Sequence, residues 1–312
     1  RPRGEAGGRL HRRRPAAGPP PQGAGEAGTM RLGVNTFIWE SPLTTAHVEP
    51  LADKAAALGC QVLELACEDP SLLDFPRVRD VLAARGLEPV VCGAFGPGRD
   101  ISSDDPAART GGITYIRQLI DAAAVVGARL VCGPMYSQTG KARLLPDDQR
   151  RAERRRAAEA LRELADYAAE RGVRLALEPL NRFETDMINT SQQGMDFLAE
   201  VGHPAVGLHL DTFHMHIEEK NSAAAVRLAG DRLYHFHACE NDRGIPGSGQ
   251  VAWEPIAEAL REIGYAGPVV IESFTPKVRT IAQAVCLWRP IAPDEDSIAR
   301  EGLLFLRRLL AG

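Results

Sequence analysis

Val173-Arg-Leu-Ala-Leu-Glu178 is a short apolar run closed by a carboxylate. The same figure returns three times: Val206-Gly-Leu-His-Leu-Asp211, Leu233-Tyr-His-Phe-His237 and Pro268-Val-Val-Ile-Glu272. The closing residues are 33, 26 and 35 positions apart, close to the roughly 30 residues that a strand and its return helix occupy in a βαβ unit. A potential metal ligand thus recurs at the tip of each successive strand. In a closed barrel of eight such units the strand C-termini open on one face, and that face holds the active site.

Working outward, four more runs complete the count: Arg31–Asn35, Val62–Ala66, Pro89–Gly93 and Arg129–Gly133. Each has the length of a buried strand. Of the four quoted first, the last two are read with a residue to spare, as Leu233–Ala238 and Pro268–Ser273. Helical patterns lie between them, most clearly Thr110–Val126, Asp148–Arg171 and Glu254–Ile263, and a last helix, Ser297–Leu310, closes the ring. In the second, Ala157, Leu161, Leu164, Ala165 and Ala168 share one face, as on a surface helix. In the last, Leu303, Leu304, Phe305, Leu306, Leu309 and Leu310 form the apolar set, with Arg307 and Arg308 facing out. Gly127 and Gly172 sit where C-cap glycines belong. Strict β-then-α alternation makes this an α/β chain with a parallel sheet. The first βα turn, Asn35–Pro42, lacks G-x-G-x-x-G, so an open dinucleotide-binding sheet is disfavoured. A (β/α)8 barrel in a single domain, residues 30–312, is the expected fold.

Residues 1–29 differ in kind. They are rich in Arg, Pro, Gly and Ala without an apolar period, and burial cannot offset the entropy of ordering them. A disordered extension is expected there, upstream of the folded chain, in preference to a transit peptide; no apolar segment suggests a secretory signal. The whole chain of 312 residues has net charge −4. Residues 1–29 hold six Arg and two Glu, leaving 31 basic and 39 acidic side chains on the rest, or −8. Such a body repels phosphate backbones, so nucleic acid is not an expected partner. Six cysteines without a C-x-x-C pair suggest reduced thiols and the cytoplasm. No apolar run approaches the ~18 residues of a membrane span.

Two Glu, one Asp and one His, namely Glu178, Asp211, His237 and Glu272, make a set of three oxygen ligands and one nitrogen. That set suits Mn²⁺, Mg²⁺ or Co²⁺ with positions open to substrate; a structural zinc site would want Cys or more His. A single carboxylate at a strand end is more often a helix N-cap or a salt-bridge partner. Four on successive strands resist that explanation, because burying them together unpaired costs several kcal/mol. The fifth and eighth strands stand nearly across the barrel, so Glu178 and Glu272 would flank a substrate from two sides. This suits removal of a proton beside a carbonyl from one face and its return to the other, with the metal polarising the carbonyl.

The words around these tips resemble a known family. Residues 30–312 are similar to the D-tagatose 3-epimerases, which include the D-psicose (D-allulose) and L-ribulose 3-epimerases, within the xylose-isomerase-like barrels. The matching stretches are Gly33-Val-Asn-Thr-Phe-Ile-Trp39, Cys92-Gly-Ala-Phe-Gly-Pro-Gly-Arg-Asp100, Glu178-Pro-Leu-Asn-Arg-Phe-Glu184, His209-Leu-Asp-Thr-Phe-His-Met215, His235-Phe-His-Ala-Cys-Glu-Asn-Asp-Arg243 and Ile271-Glu-Ser-Phe274. The last four together are specific. The resemblance implies one divalent metal on Glu178, Asp211, His237 and Glu272, commonly Mn²⁺. It implies that Glu178 and Glu272 exchange the C3 proton of a free ketose through a cis-enediolate. It also implies that Glu184, His214 and Arg243 hold the O1–O2 end of the sugar, and that the enzyme is a homodimer or homotetramer. By position these three sit in loops over the barrel mouth, where loop salt bridges are the competing explanation.

Other residues are expected to play lesser parts. His209 and His235 lie two residues before a ligand, so they point into the barrel and should be hydrogen-bonded to neighbours. His47 and His216 read as surface or loop, and the Arg150–Arg156 charge run as a solvated helix face. Cys67, Cys92 and Cys239 read as small wall residues, not nucleophiles. Phe37, Trp39, Met135, Tyr136 and Phe274 could line the pocket or plug the mouth. A hydroxypyruvate isomerase or an inosose dehydratase would use the same fold on another substrate. A metal-dependent endonuclease would need more zinc ligands and a basic groove.

Overall fold

The computed structural model describes residues 29–311; the expected extension over residues 1–29 lies, apart from Thr29, outside the described residues. The strands are β1 Arg31–Asn35, β2 Val62–Cys67, β3 Glu88–Gly93, β4 Leu130–Gly133, β5 Arg174–Leu177, β6 Val206–Asp211, β7 Leu233–His237 and β8 Pro268–Ile271. They pair in parallel, each with the next, and β8 returns to β1, closing an eight-stranded barrel. The helices are α1 Thr45–Ala57, α2 Phe75–Ala83, α3 Pro106–Val126, α4 Asp147–Ala169, α5 Ser191–Val201, α6 Thr212–Glu218, α7 Ser222–Ala229, α8 Trp253–Glu262, α9 Arg279–Ala284 and α10 Glu295–Leu310. Among the described residues no helix is long and apolar enough to cross a membrane.

The expected alternation holds, with local differences that have local causes. β5 ends at Leu177 and β8 at Ile271, so Glu178 and Glu272 stand one residue past their strands. Helix α3 starts four residues before the expected Thr110. Asp105 caps it by accepting from the Ala107 N–H, and Pro106 fills the first turn, where its missing N–H is no loss. Helix α10 likewise starts at Glu295 with Asp294 as cap. Helices α6, α7 and α9 were not foreseen; each is short and carries too few apolar turns to show a period. Gly127 closes α3 with φ at +81°, the left-handed turn expected of a C-cap glycine.

The core has two parts. Between barrel and helices lies the larger one, holding Leu161, Leu164, Ala165 and Ala168 of α4 and Leu303 and Leu306 of α10. Leu304, expected to face inward, is 45% exposed, because it falls on the outer edge of the α10 stripe. Inside the barrel, Val62, Val90, Cys92, Leu130, Cys132, Ala176 and Val270 fill the floor. The six cysteines are all free, five of them buried. At the mouth, Lys141 joins Asp100 (2.9 Å) to Glu153 (3.0 Å), and Arg143 joins Glu153 (2.8 Å) to Asp186 (2.9 Å). These ion pairs, largely buried at Lys141 and exposed at Arg143, tie the loops after β3, β4 and β5 together. Of the expected Arg150–Arg156 solvated run, Arg154 pairs with Glu200 and Arg156 donates to the Ser102 carbonyl, so the run is partly structural.

β1 and β2 meet closely at Gly33, which pairs with Val62. A Cβ there would lie 2.4 Å from the Val62 carbonyl oxygen and 2.6 Å from its Cβ. Gly33→Ala must push two strands of a closed ring apart. It is expected to destabilise the fold by about 1–3 kcal/mol, as overpacking does, read from the midpoint of urea unfolding. An unchanged midpoint would mean that the β1–β2 seam can give.

Candidate metal centre

Four side chains from four neighbouring strands converge at the C-terminal mouth. Glu178, Asp211, His237 and Glu272 each offer one ligand atom, and these atoms lie within 4.8 Å of one another, all buried. The sequence placed them there singly; closure of the barrel brings them together. Asp211 has two jobs. Its Oδ1 caps α6, accepting from the Phe213 N–H at 2.6 Å and the His214 N–H at 3.4 Å. Its Oδ2 turns into the cluster, 3.7 Å from His237 Nδ1. Helix capping and a place in the cluster are therefore not rival explanations, because a carboxylate has two oxygens to share. His237 Nδ1 is also 3.5 Å from Glu272 Oε2.

Arg243 supplies fixed positive charge. Its Nη1 donates to Asp211 Oδ2 at 2.7 Å and to Glu272 Oε2 at 3.0 Å, and its guanidinium lies over the Phe213 ring at 4.1 Å. The residue adopts φ +66°, a region that non-glycine residues seldom enter. Contacts hold it there: its N–H donates to the Glu240 carbonyl, and its own carbonyl accepts from Ser273 Oγ at 2.7 Å. Glu240 in turn accepts from the N–H groups of Gly247 and Val251 and from Trp253 Nε1, fixing the loop that carries Arg243.

Charge balance sets the protonation of the cluster. Burial, and then the neighbouring Glu272, push Glu178 well above the usual carboxylate range. Burial would also raise Asp211, but the Arg243 guanidinium and the imidazoles beside it hold it well below its ordinary value. For His237 burial opposes protonation, yet Glu64 and Glu272 outweigh it and raise its pKa. Glu178 Oε1 and His237 Nδ1 are buried with no hydrogen-bond partner. Buried polar atoms are rarely left so, and a cation between the carboxylates would satisfy both. The residues present fit a hard divalent ion with oxygen-rich ligation.

Beneath this layer lies a residue that the sequence reading passed over. Glu64, in the middle of β2, has no exposed surface. Its Oε1 accepts from Asn35 Nδ2 at 2.6 Å and lies 2.7 Å from His237 Nε2; its Oε2 lies 2.5 Å from His235 Nε2. Burial would raise its pKa, but the two imidazoles overcome this and hold it well below the usual range. The signal was present: a charged residue inside an apolar strand, on the same inward face as Val62. His235 thus has the expected hydrogen bond. His209 does not. Neither ring nitrogen has a partner, and burial among His237 and His235 pushes its pKa well down, so it packs as a neutral ring, 4.0 Å from that of His237.

The three expected substrate contacts lie around the same cluster. His214 Nδ1 accepts from the Asn181 N–H at 3.0 Å, and its Nε2 lies 3.7 Å from Glu178 Oε1. Glu184 accepts from Asn181 Nδ2 at 2.7 Å. Asn181, not singled out in the sequence, therefore positions both. Phe37 and Phe274 pack at 5.4 Å with Ala66 and Ile281 as an apolar wall at the mouth, whereas Met135 and Tyr136 belong to the main core. Trp39 donates to Asp296, away from the cluster. Burial pushes the Cys67 thiol up to about 12 and the Cys239 thiol further, against a nucleophilic role. His47 lies in the first turn of α1, not in a loop, and His216 is exposed. A separate cleft at the opposite end, lined by Arg31, Arg129, Arg174 and Tyr265, contains none of these groups.

Comparison with known proteins agrees with the barrel fold. Residues 52–309 match the family model described as xylose isomerase-like TIM barrel. The chain is 34% identical over 281 residues to an L-ribulose 3-epimerase of Methylomonas sp. (strain DH-1), spanning 89% of this chain and 97% of the relative. It is 34% identical over 287 residues to a D-psicose 3-epimerase of Enterocloster bolteae, spanning 88% and 93%. A crystal structure of a D-allulose 3-epimerase from Methylomonas sp. in complex with D-allulose superposes with a TM-score of 0.84 at 33% identity, covering 90% of this chain and 97% of that one.

The raised pKa of Glu178 makes a prediction with a definite sign. Above its ordinary 4.5 the unfolded chain has lost this proton while the folded chain keeps it. The folded state then binds more protons, so stability falls as pH rises toward the raised pKa. In chelator-treated protein Glu178→Gln, which cannot ionise, is expected to melt several degrees above wild type at pH 8, with the gap closing toward pH 5. Melting curves in EDTA read this directly. Parallel pH slopes for the two proteins would remove Glu178 as the cause.

Proposed function

The chain belongs to the xylose isomerase-like TIM barrel family, with ketose 3-epimerases as its relatives, and from that premise we propose that it epimerises free ketoses at C3. One observation carries the mechanism: Glu178 and Glu272 project from β5 and β8 into one buried cluster, on strands three places apart in the ring of eight. A ketose held between them has C3 within reach of a carboxylate on each face. One Glu takes the C3 proton and leaves a cis-enediolate across C2 and C3. The other gives a proton to the opposite face of C3, and the configuration inverts. In the reverse direction the two exchange roles. Their environments differ, since Glu272 accepts from Arg243 and Glu178 Oε1 accepts from nothing. Such unequal surroundings suit two carboxylates with different parts in the exchange.

Glu178, Asp211, His237 and Glu272 would hold the divalent metal, with Mn²⁺ the ion of choice and Co²⁺ or Mg²⁺ as substitutes. When bound it supplies Lewis-acid polarisation of the C2 carbonyl and steadies charge on the enediolate oxygens. Glu184, His214 and Arg243 hold the O1–O2 end, with Asn181 setting the first two. The net −8 of residues 30–312 disfavours phosphorylated sugars and supports free ones. Assembly as a homodimer or homotetramer belongs to the same reading.

Turnover in D₂O should place deuterium at C3 of both epimers; conversion without exchange would sink the mechanism. Glu178→Gln and Glu272→Gln should each lower kcat by about 10²–10⁴, the span of general acid–base catalysis. Metal removal should abolish activity, and Mn²⁺ should restore it. A panel of fructose, psicose, tagatose, ribulose, hydroxypyruvate and inosose, assayed by product analysis, separates epimerase from isomerase or dehydratase.

A further inference from the structure

Glu64 is fully buried beneath the cluster, between two imidazoles and an amide, and has no part in the reaction above. The two Glu64 oxygens face both ring nitrogens at hydrogen-bond distance, and Oε1 already accepts from the Asn35 amide, so they are the acceptors here. Each imidazole that meets Glu64 must therefore present Nε2–H to it: His237 at 2.7 Å on Oε1 and His235 at 2.5 Å on Oε2. The carboxylate itself cannot turn away. Asn35 Nδ2 donates to Oε1 at 2.6 Å, and Cys132 Sγ lies 3.5 Å from Oε2. With its Nε2 proton committed below, His237 directs Nδ1 upward, unpartnered, toward Asp211 and Glu272. We propose that Glu64 is a positioning residue that fixes the His237 ring and its Nε2–H tautomer, so that Nδ1 is the metal-binding atom. Asn35 and His235 hold Glu64 in register for this task. The proposal rests on the four-residue metal site, and the sharing of a ring proton between a ligand imidazole and a carboxylate is a general way to set ligand basicity and orientation.

The test titrates metal-free protein with Mn²⁺, followed by the free-ion EPR signal, so no turnover is needed. Loss of such a carboxylate typically weakens metal binding about 10–100-fold. Glu64→Gln, which keeps one accepting oxygen without charge, should fall near the lower figure and Glu64→Ala near the upper. A purely structural Glu64 would lower the melting temperature of the metal-free protein and leave the Mn²⁺ dissociation constant within about twofold of wild type; that result overturns the proposal. In wild type loaded with diamagnetic Mg²⁺, ¹⁵N–¹H ring correlations should show the His237 proton on Nε2. This needs no variant to fold, and a proton on Nδ1 also overturns the proposal. Two ions per chain, the second lost in Cys132→Ser, would make Glu64 a ligand in its own right and refute the positioning role. Asp211→Ala separates the two readings. If it removes Mn²⁺ binding while the Glu64 variants do not, the site stands and the positioning role falls. If Asp211→Ala leaves binding intact, the site itself is wrong.

Discussion

Four carboxylates, Glu64, Glu178, Asp211 and Glu272, are buried within one closed barrel, and the rest of the structure answers to the charge they bring. Carboxylates in a low-dielectric interior are costly unless each is paired or neutralised. Three answers are built in. Glu64 is met by two imidazoles and an amide. Asp211 and Glu272 share the Arg243 guanidinium. Glu178 has no such partner on Oε1, and burial beside Glu272 pushes its pKa well up. The unequal answers make the cluster chemical, because a cation or a transferable proton completes it.

The same charges dictate backbone features that would otherwise look odd. Arg243 occupies a left-handed conformation, a state that a side chain of this size enters only when its surroundings over-determine it. Ser273 and the loop organised by Glu240 supply that constraint. Asp211 ends β6 and starts α6 with one side chain, so the element boundary and the cluster share an anchor. Around the mouth, the Lys141 and Arg143 ion pairs hold the β3, β4 and β5 loops, and with them the segment from Glu178 to Glu184.

Much of this was legible along the chain. Eight apolar runs alternating with helical patterns became eight strands in order, and the four closing residues became one cluster. Helix starts were less legible. The Asp105-Pro106 cap lies four residues ahead of the apolar period of α3, and α6, α7 and α9 are too short to have a period at all. His209 shows another gap: the alternation of a strand says that its ring points inward, but whether a ring nitrogen finds a partner depends on what arrives from across the barrel.

The sequence by itself determined which side chains sit at strand tips, since a strand's direction and its alternation are local properties written in consecutive residues. It also marked Glu64 as an oddity, a carboxylate in an apolar strand. Only the tertiary structure decided that Glu64 meets His235 and His237, which are 171 and 173 residues away in the chain. That contact depends on strand register and on the ring closing from β8 to β1. Neither is encoded in any window of sequence; both follow from the packing of the whole barrel at once.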